Sequence, residues 1–136
     1  MQDRYLFRGK CKTNGEWVKG AYYENPYADI SYIIRWNGLG IGLNEIIEVD
    51  PSTVCQCTGR NDKNGKLIWE DDIMQAHLDD DFPDDVTVVK ILWHENGWRT
   101  NQPGCVDYEE LDEFTLKCFE VVGNVFDNLE LLEVQK

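Results

Sequence analysis

Glu70, Asp71 and Asp72, followed by His77 and by Asp79, Asp80 and Asp81, are the residues of this chain best suited to chemistry. Carboxylate oxygens are hard ligands that suit Mg²⁺ or Ca²⁺, and a histidine beside them would serve as a general base. If the stretch is a strand, Glu70 and Asp72 project from one face and Asp71 from the other. With His77 they form a candidate centre for metal-assisted hydrolysis. The run Asp79, Asp80, Asp81, Asp84, Asp85 lacks the alternating oxygen ligands and the sixth-position glycine of a calcium loop, and Pro83 forbids regular pairing there. It reads as a solvated loop. His94 stands beside Glu95 in no recognisable motif. Neither G-x-S-x-G, HExxH nor a phosphate loop occurs, and Gly38, Gly40 and Gly42 lack the helix and the GK[ST] ending that a nucleotide loop needs. Catalytic residues and cofactors are therefore expected to be absent.

A second chemistry is carried by cations among aromatic rings. Arg4, Arg8, Lys10, Lys12 and Lys19 interleave with Tyr5, Phe7, Trp17 and Tyr22, a combination able to hold a phosphate backbone and stack bases. The charge balance limits this idea. Residues 1–69 hold nine Lys and Arg against eight Asp and Glu, whereas residues 70–136 hold four against eighteen. A field of that sign repels phosphate, so general nucleic-acid binding is not expected of the C-terminal half. That half could instead imitate DNA and occupy a basic protein.

The cysteines Cys11, Cys55, Cys57, Cys105 and Cys118 are odd in number and lack zinc spacing, which predicts reduced, packed thiols. No apolar run approaches the roughly 20 residues of a membrane helix, and the opening residues lack the apolar core of a secretory signal. A cytoplasmic protein with no membrane contact is expected.

These side chains must be positioned by strands. Asn14-Gly15, Asn37-Gly38, Asn64-Gly65 and Asn96-Gly97 each separate segments rich in aromatic and β-branched residues, the signature of hairpins with type I′ turns. A strand around Tyr5, Phe7 and Gly9 should pair with Trp17–Tyr23. Residues 24–29 should form a loop whose Pro26 ends the preceding strand, and strands should follow over 30–36 and 41–49, with Gly40 and Gly42 marking a bulge or a loose edge. Thr53–Cys57 and Lys66–Met74 make a central hairpin, then Val86–Trp93 turns back through Trp98–Thr100. Tyr108, Leu111 and Phe114 have helical spacing, one or two turns at most. Leu116–Phe126 reads as a last strand bent at Gly123-Asn124, with Asp127 or Asn128 able to cap a final turn. The five tryptophans and six tyrosines should be mostly core, with a minority left for an interface.

The central stretch also resembles a family, the YopX proteins of bacteriophages and prophages, whose pattern runs TV-x-QYTG-x-x-DKNG-x-x-IYEGDIV. Thr53, Val54, Gln56, Thr58, Gly59, Asp62, Lys63, Asn64, Gly65, Ile68, Glu70, Asp72 and Ile73 match it. The opening Tyr5–Gly9 and the ending Gly123, Asn124 and Glu130-Leu131-Leu132 are similar as well. Cys57 replaces the family's tyrosine, Asp71 its glycine and Leu129 its proline. If that glycine marks a positive-φ position, aspartate is among the few residues able to replace it. The resemblance implies that Gln56, Thr58, Gly59, Asp62, Asn64, Gly65, Glu70, Asp72, Gly123 and Asn124 are structural, and that the acidic Glu70 step is a turn into a strand, as in small SH3-like barrels.

The expectation is thus a mainly β protein: antiparallel N-terminal hairpins over 1–50, joined to a signature hairpin and small SH3-like barrel over 51–136 as one compact unit, with one or two short helices. Its expected role is that of a noncatalytic module from a phage or prophage, acting in the bacterial host cytoplasm by binding itself or a phage or host protein. The alternatives are a nucleic-acid accessory protein, an acidic DNA mimic and, last, a metal-dependent hydrolase.

Overall fold

The computed structural model describes residues 2–35, 45–82 and 84–133. The expected turn at Asn37-Gly38 and the bulge at Gly40 and Gly42 lie outside them. Two compact units divide the chain, residues 1–57 and 58–136.

In the first unit, β1 (Phe7–Lys10), β2 (Trp17–Asn25), β3 (Ile30–Arg35), β4 (Glu45–Val49) and the start of β5 (Cys55–Asn61) lie in the order β4-β3-β2-β1-β5. Every pairing is antiparallel, as hairpins require. β2 is long enough to pair β1 through Trp17–Gly20 and β3 through Ala21–Asn25, and Gly20 sits where the two halves meet. A side chain there would collide with the Ile34 carbonyl oxygen, so glycine lets β3 approach. The sheet curls: the amide of Lys12 donates to Glu48, that of Asp50 donates to Lys10, and Cys11 bridges Val49. β4 therefore returns beside the end of β1, which covers part of its edge. Inside the curl, Val18, Ile33 and Val49 are buried with Phe7, Tyr22, Ile47 and Val54 packed on them.

The second unit takes the remainder of β5, then β6 (Leu67–Trp69), β7 (Asp72–Ala76), β8 (Thr87–His94), β9 (Gly97–Asn101), β10 (Glu109–Glu110), the single α-helix among the described residues, α1 (Glu113–Cys118), and β11 (Glu120–Asn124). Its main sheet runs β10-β9-β8-β7-β11, with the last strand returning beside the first of the meander. Ile68, Met74, Ala76, Val89, Ile91, Leu111 and Phe119 form the core. The mainly β class holds, but no pairing joins β10 to β11, so the expected barrel is an open sheet.

Several local expectations are corrected. Tyr5 and Thr53 belong to short 3₁₀ turns rather than strands. The strand expected over Lys66–Met74 is split by a turn at Glu70-Asp71, where Asp71 has φ of 67°. Alternation therefore does not relate Glu70 to Asp72. Leu116 and Cys118 are helical rather than extended, because Asp112 caps the preceding turn: its carboxylate accepts the Thr115 amide and hydroxyl at 2.9 and 2.8 Å. These bonds hold the Asp112 carboxyl below its ordinary pKa. Phe114, on the expected helical face, is exposed.

The turn chemistry also differs. At the β8–β9 tip the positive-φ pair is Glu95 and Asn96, at 49° and 68°, one residue ahead of the Asn-Gly pair. The other two described Asn-Gly pairs carry positive φ at glycine alone, Gly15 at 73° and Gly65 at 80°. Between β5 and β6 the Gly65 amide donates to the Asp62 carbonyl and the Asp62 amide to Lys66, giving a three-residue loop with its glycine in the left-handed region.

Candidate functional site

Several of the signature residues bond the backbone. Asp62 is buried; its Oδ1 accepts the amides of Asn64 and Lys66, both at 2.9 Å, and its Oδ2 accepts that of Val121 at 2.8 Å. One carboxylate thus closes the β5–β6 loop and ties it to β11. The Thr58 hydroxyl donates to the Ile68 carbonyl at 2.7 Å and accepts from the Arg60 amide, while Gly59 supplies a φ of 78°. Asn64 reaches Glu120 at 3.1 Å, and Gln56 donates to the Arg4 carbonyl at 3.2 Å. The register of β11 shifts between Val121 and Gly123, an irregularity just ahead of the bend expected at Gly123-Asn124. There the Asn124 carboxamide oxygen accepts the amides of Phe126 and Asp127, while Asn128 turns its side chain to the Asn124 amide instead of capping the 3₁₀ turn at Leu129–Leu132.

The metal candidates separate. Asp72 is buried and its Oδ2 accepts the Trp69 amide at 2.8 Å, holding the turn that contains Glu70. His77 lies 3.0 Å through Nδ1 from the Asp85 carbonyl oxygen and 4.0 Å through Nε2 from Asp80, at the far end of β7. Among the described residues, Glu70, Asp72 and His77 do not converge within ligand distance of one another. His94 packs its ring against Tyr108, centroids 4.4 Å apart.

The basic candidates divide between two settings. Register places Arg8 opposite Lys19 and Lys10 opposite Trp17, on the sheet face turned away from the first unit's core. The Arg8 guanidinium lies 4.7 Å and the Lys10 ammonium 5.4 Å from the Trp17 ring centroid, a cation–π arrangement. Lys12 leaves this group to pair with Glu48 at 3.0 Å, which raises its pKa. Arg4 covers Tyr5 in the opening 3₁₀ turn.

Sequence reasoning did not place one surface feature found among the described residues of this unit. The same outward face carries Ala21, Ile34 and Ile46 in one row across β2, β3 and β4, and Tyr23, Tyr32 and Glu48 in the next. Ile46 is 67% and Tyr23 53% exposed, although the alternate residues Ile33 and Val49 are completely buried. Tyr23 and Tyr32 stack with centroids 6.4 Å apart. The signal was legible in principle: β3 alternates Ile30, Tyr32 and Ile34 with Ser31, Ile33 and Arg35, and it is the second set that turns inward, which leaves the more apolar set outward.

The five cysteines are free thiols. The Cys11 thiol accepts from the Thr13 hydroxyl at 3.2 Å in one proton arrangement, and this contact, with the backbone bonds of Thr13 and Asn14, lowers its pKa. No helix among the described residues is long and apolar enough to cross a membrane.

Comparison with known proteins adds three findings. A solved structure, the protein EF1440 from Enterococcus faecalis, is similar to this chain with a TM-score of 0.59 at 20% identity, covering 93% of this chain and 96% of that one. At that identity the likeness speaks for the fold. No curated protein matches. The family model described as YopX protein matches residues 6–133, which is nearly the whole chain, and the protein therefore belongs to the YopX family.

Proposed function

We propose that this chain is a noncatalytic interaction module of phage or prophage origin, which binds a second copy of itself or another protein through the outer face of β2, β3 and β4. The observation that supports this reading is the pair of rows in which Ala21, Ile34, Ile46, Tyr23 and Tyr32 face outward, with Ile46 and Tyr23 more than half open to solvent. Water ordered over such a surface is released when a partner covers it, and tyrosine adds a hydrogen-bonding tip at modest entropic cost. Size exclusion with light scattering, together with capture from host lysate, tests the reading. Ile46→Lys and Tyr23→Glu should each weaken association at least tenfold, about 1.4 kcal/mol. A strict monomer that captures nothing would end it.

A nucleic-acid reading is favoured by one arrangement only, Arg8 and Lys10 flanking Trp17 with Lys19 across the ladder. It stands second because the first unit carries six Lys and Arg against seven Asp and Glu. Titration with single-stranded and duplex DNA at two salt concentrations decides it, since phosphate binding must weaken with salt. The acidic-mimic reading has a narrower form, which follows from a groove in the second unit.

A further inference from the structure

Beyond the first unit's outer face, the second unit carries a groove of about 540 Å³ between the start of β8, the residues after β9 and the 3₁₀ turn at Leu129–Leu132. Val86, Val88, Pro103 and Leu131 supply apolar lining, and Asp84, Asp85 and Glu133 supply carboxylates; among the described residues, no Lys or Arg lines it. Val86 is 49% and Leu131 36% exposed.

A separate feature lies in the sheet itself. β8 pairs β7 from Thr87 onward, with Ala76 opposite Thr87, Gln75 opposite Val88 and Met74 opposite Val89. Its ladder with β9 begins only at Lys90, opposite Asn101. Thr87 and Val88 therefore have a strand on one side and, where the β9 ladder has already ended, line the groove. A strand edge of that kind offers backbone donors and acceptors to an extended segment.

We propose that this groove takes an extended basic segment of a partner protein, laid beside Thr87 and Val88 as an added strand. The chemistry selects that occupant. Lys and Arg have apolar stems and cationic heads, so alternate side chains can pack on Val86, Val88 and Leu131 while their charges reach Asp84, Asp85 and Glu133. The second unit, with seven Lys and Arg against nineteen Asp and Glu, attracts such a segment and repels an acidic one. A bare divalent cation fits poorly, because Ca²⁺ wants six to eight oxygens and four of the lining residues are apolar. The volume lies within the range of ligand-sized pockets.

The test is fluorescence anisotropy of the full chain with three labelled nine-residue peptides: alternating Lys and Val, alternating Glu and Val, and the Lys–Val peptide N-methylated at alternate amides. The Lys–Val peptide should bind, with the Glu–Val peptide at least thirtyfold weaker and the N-methylated one at least tenfold weaker. Asp84→Asn with Asp85→Asn should weaken binding at least tenfold and flatten its salt dependence, and Leu131→Ser should weaken it at least threefold. Glu109→Gln, an exposed acid outside the groove, should leave it unchanged. Undiminished binding of the N-methylated peptide, or indifference to the Asp84/Asp85 change, would overturn the proposal, as would no binding of the Lys–Val peptide. Ile46→Lys should bind the peptide as the parent does, which separates this outcome from failure of the first unit's association.

Discussion

Replacing Asp62 by asparagine should destabilise the second unit more than any exposed acidic substitution. The buried carboxylate accepts three backbone amides, from Asn64, Lys66 and Val121, at 2.8 to 2.9 Å. A carboxamide has one acceptor oxygen. If it keeps the two loop amides, its NH₂ group faces the Val121 N–H, donor against donor, and the other two bonds lose their charge. A hydrogen bond to a charged group contributes about 1.5–3 kcal/mol, and a stranded buried donor costs about 1–3. The loss for Asp62→Asn is therefore about 2–3 kcal/mol, and for Asp62→Ala about 3–5 kcal/mol, since some loop amides regain water. With a urea slope of about 2 kcal/mol/M, the asparagine variant should unfold about 1–1.5 M earlier. Tryptophan fluorescence in urea measures this, and exchange of the Val121 amide locates it. Asp107→Asn, in an exposed loop, serves as control. A midpoint for Asp62→Asn within 0.2 M of the parent would refute the claim that this one carboxylate joins the β5–β6 loop to β11.

Other outcomes follow from single contacts. Asp71→Val should lose about 1–2 kcal/mol in urea unfolding, because a β-branched residue tolerates the φ of 67° poorly, whereas Asp71→Gly should not lose stability through its backbone. Gly20→Ala should cost about 2 kcal/mol or more and loosen the β2–β3 ladder, seen as faster exchange of the Ile34 amide, since its methyl group meets the Ile34 carbonyl. Met74→Ala, at a fully buried core position, should cost about 2–5 kcal/mol. The Asp112 carboxyl is lowered in the folded chain by its bonds to Thr115, so its contribution is complete above the ordinary aspartate value of about 4 and disappears as pH falls through the lowered one. Exchange of the Thr115 amide should accelerate over that acidic window in the parent and show no such step in Asp112→Ala.

The sequence by itself determined the class and much of the local order. Alternation with β-branched and aromatic residues is a period that strands satisfy, so the antiparallel ribbons, the turn from Pro26 and an irregularity close to Gly123-Asn124 were readable, whereas Asp62 was singled out only through the family pattern. The match at residues 53–73 gave the family because that pattern is specific. What tertiary structure decided was whatever depends on a choice between near-equal local options. Whether Glu95-Asn96 or Asn96-Gly97 fills the turn depends on the pairing of His94 with Gly97, a strand register. Whether Leu116 is extended or helical turned on a cap at Asp112, worth little until the neighbouring core fixes it. β3 carries apolar residues at both parities, Ile33 on one and Ile30, Tyr32 and Ile34 on the other, and burial of Ile33 against Val18 and Val49 is what left Tyr32 and Ile34 outward, beside Tyr23 and Ile46. The groove on β8 exists because two strands end at different places, a property of their pairing and of no residue alone.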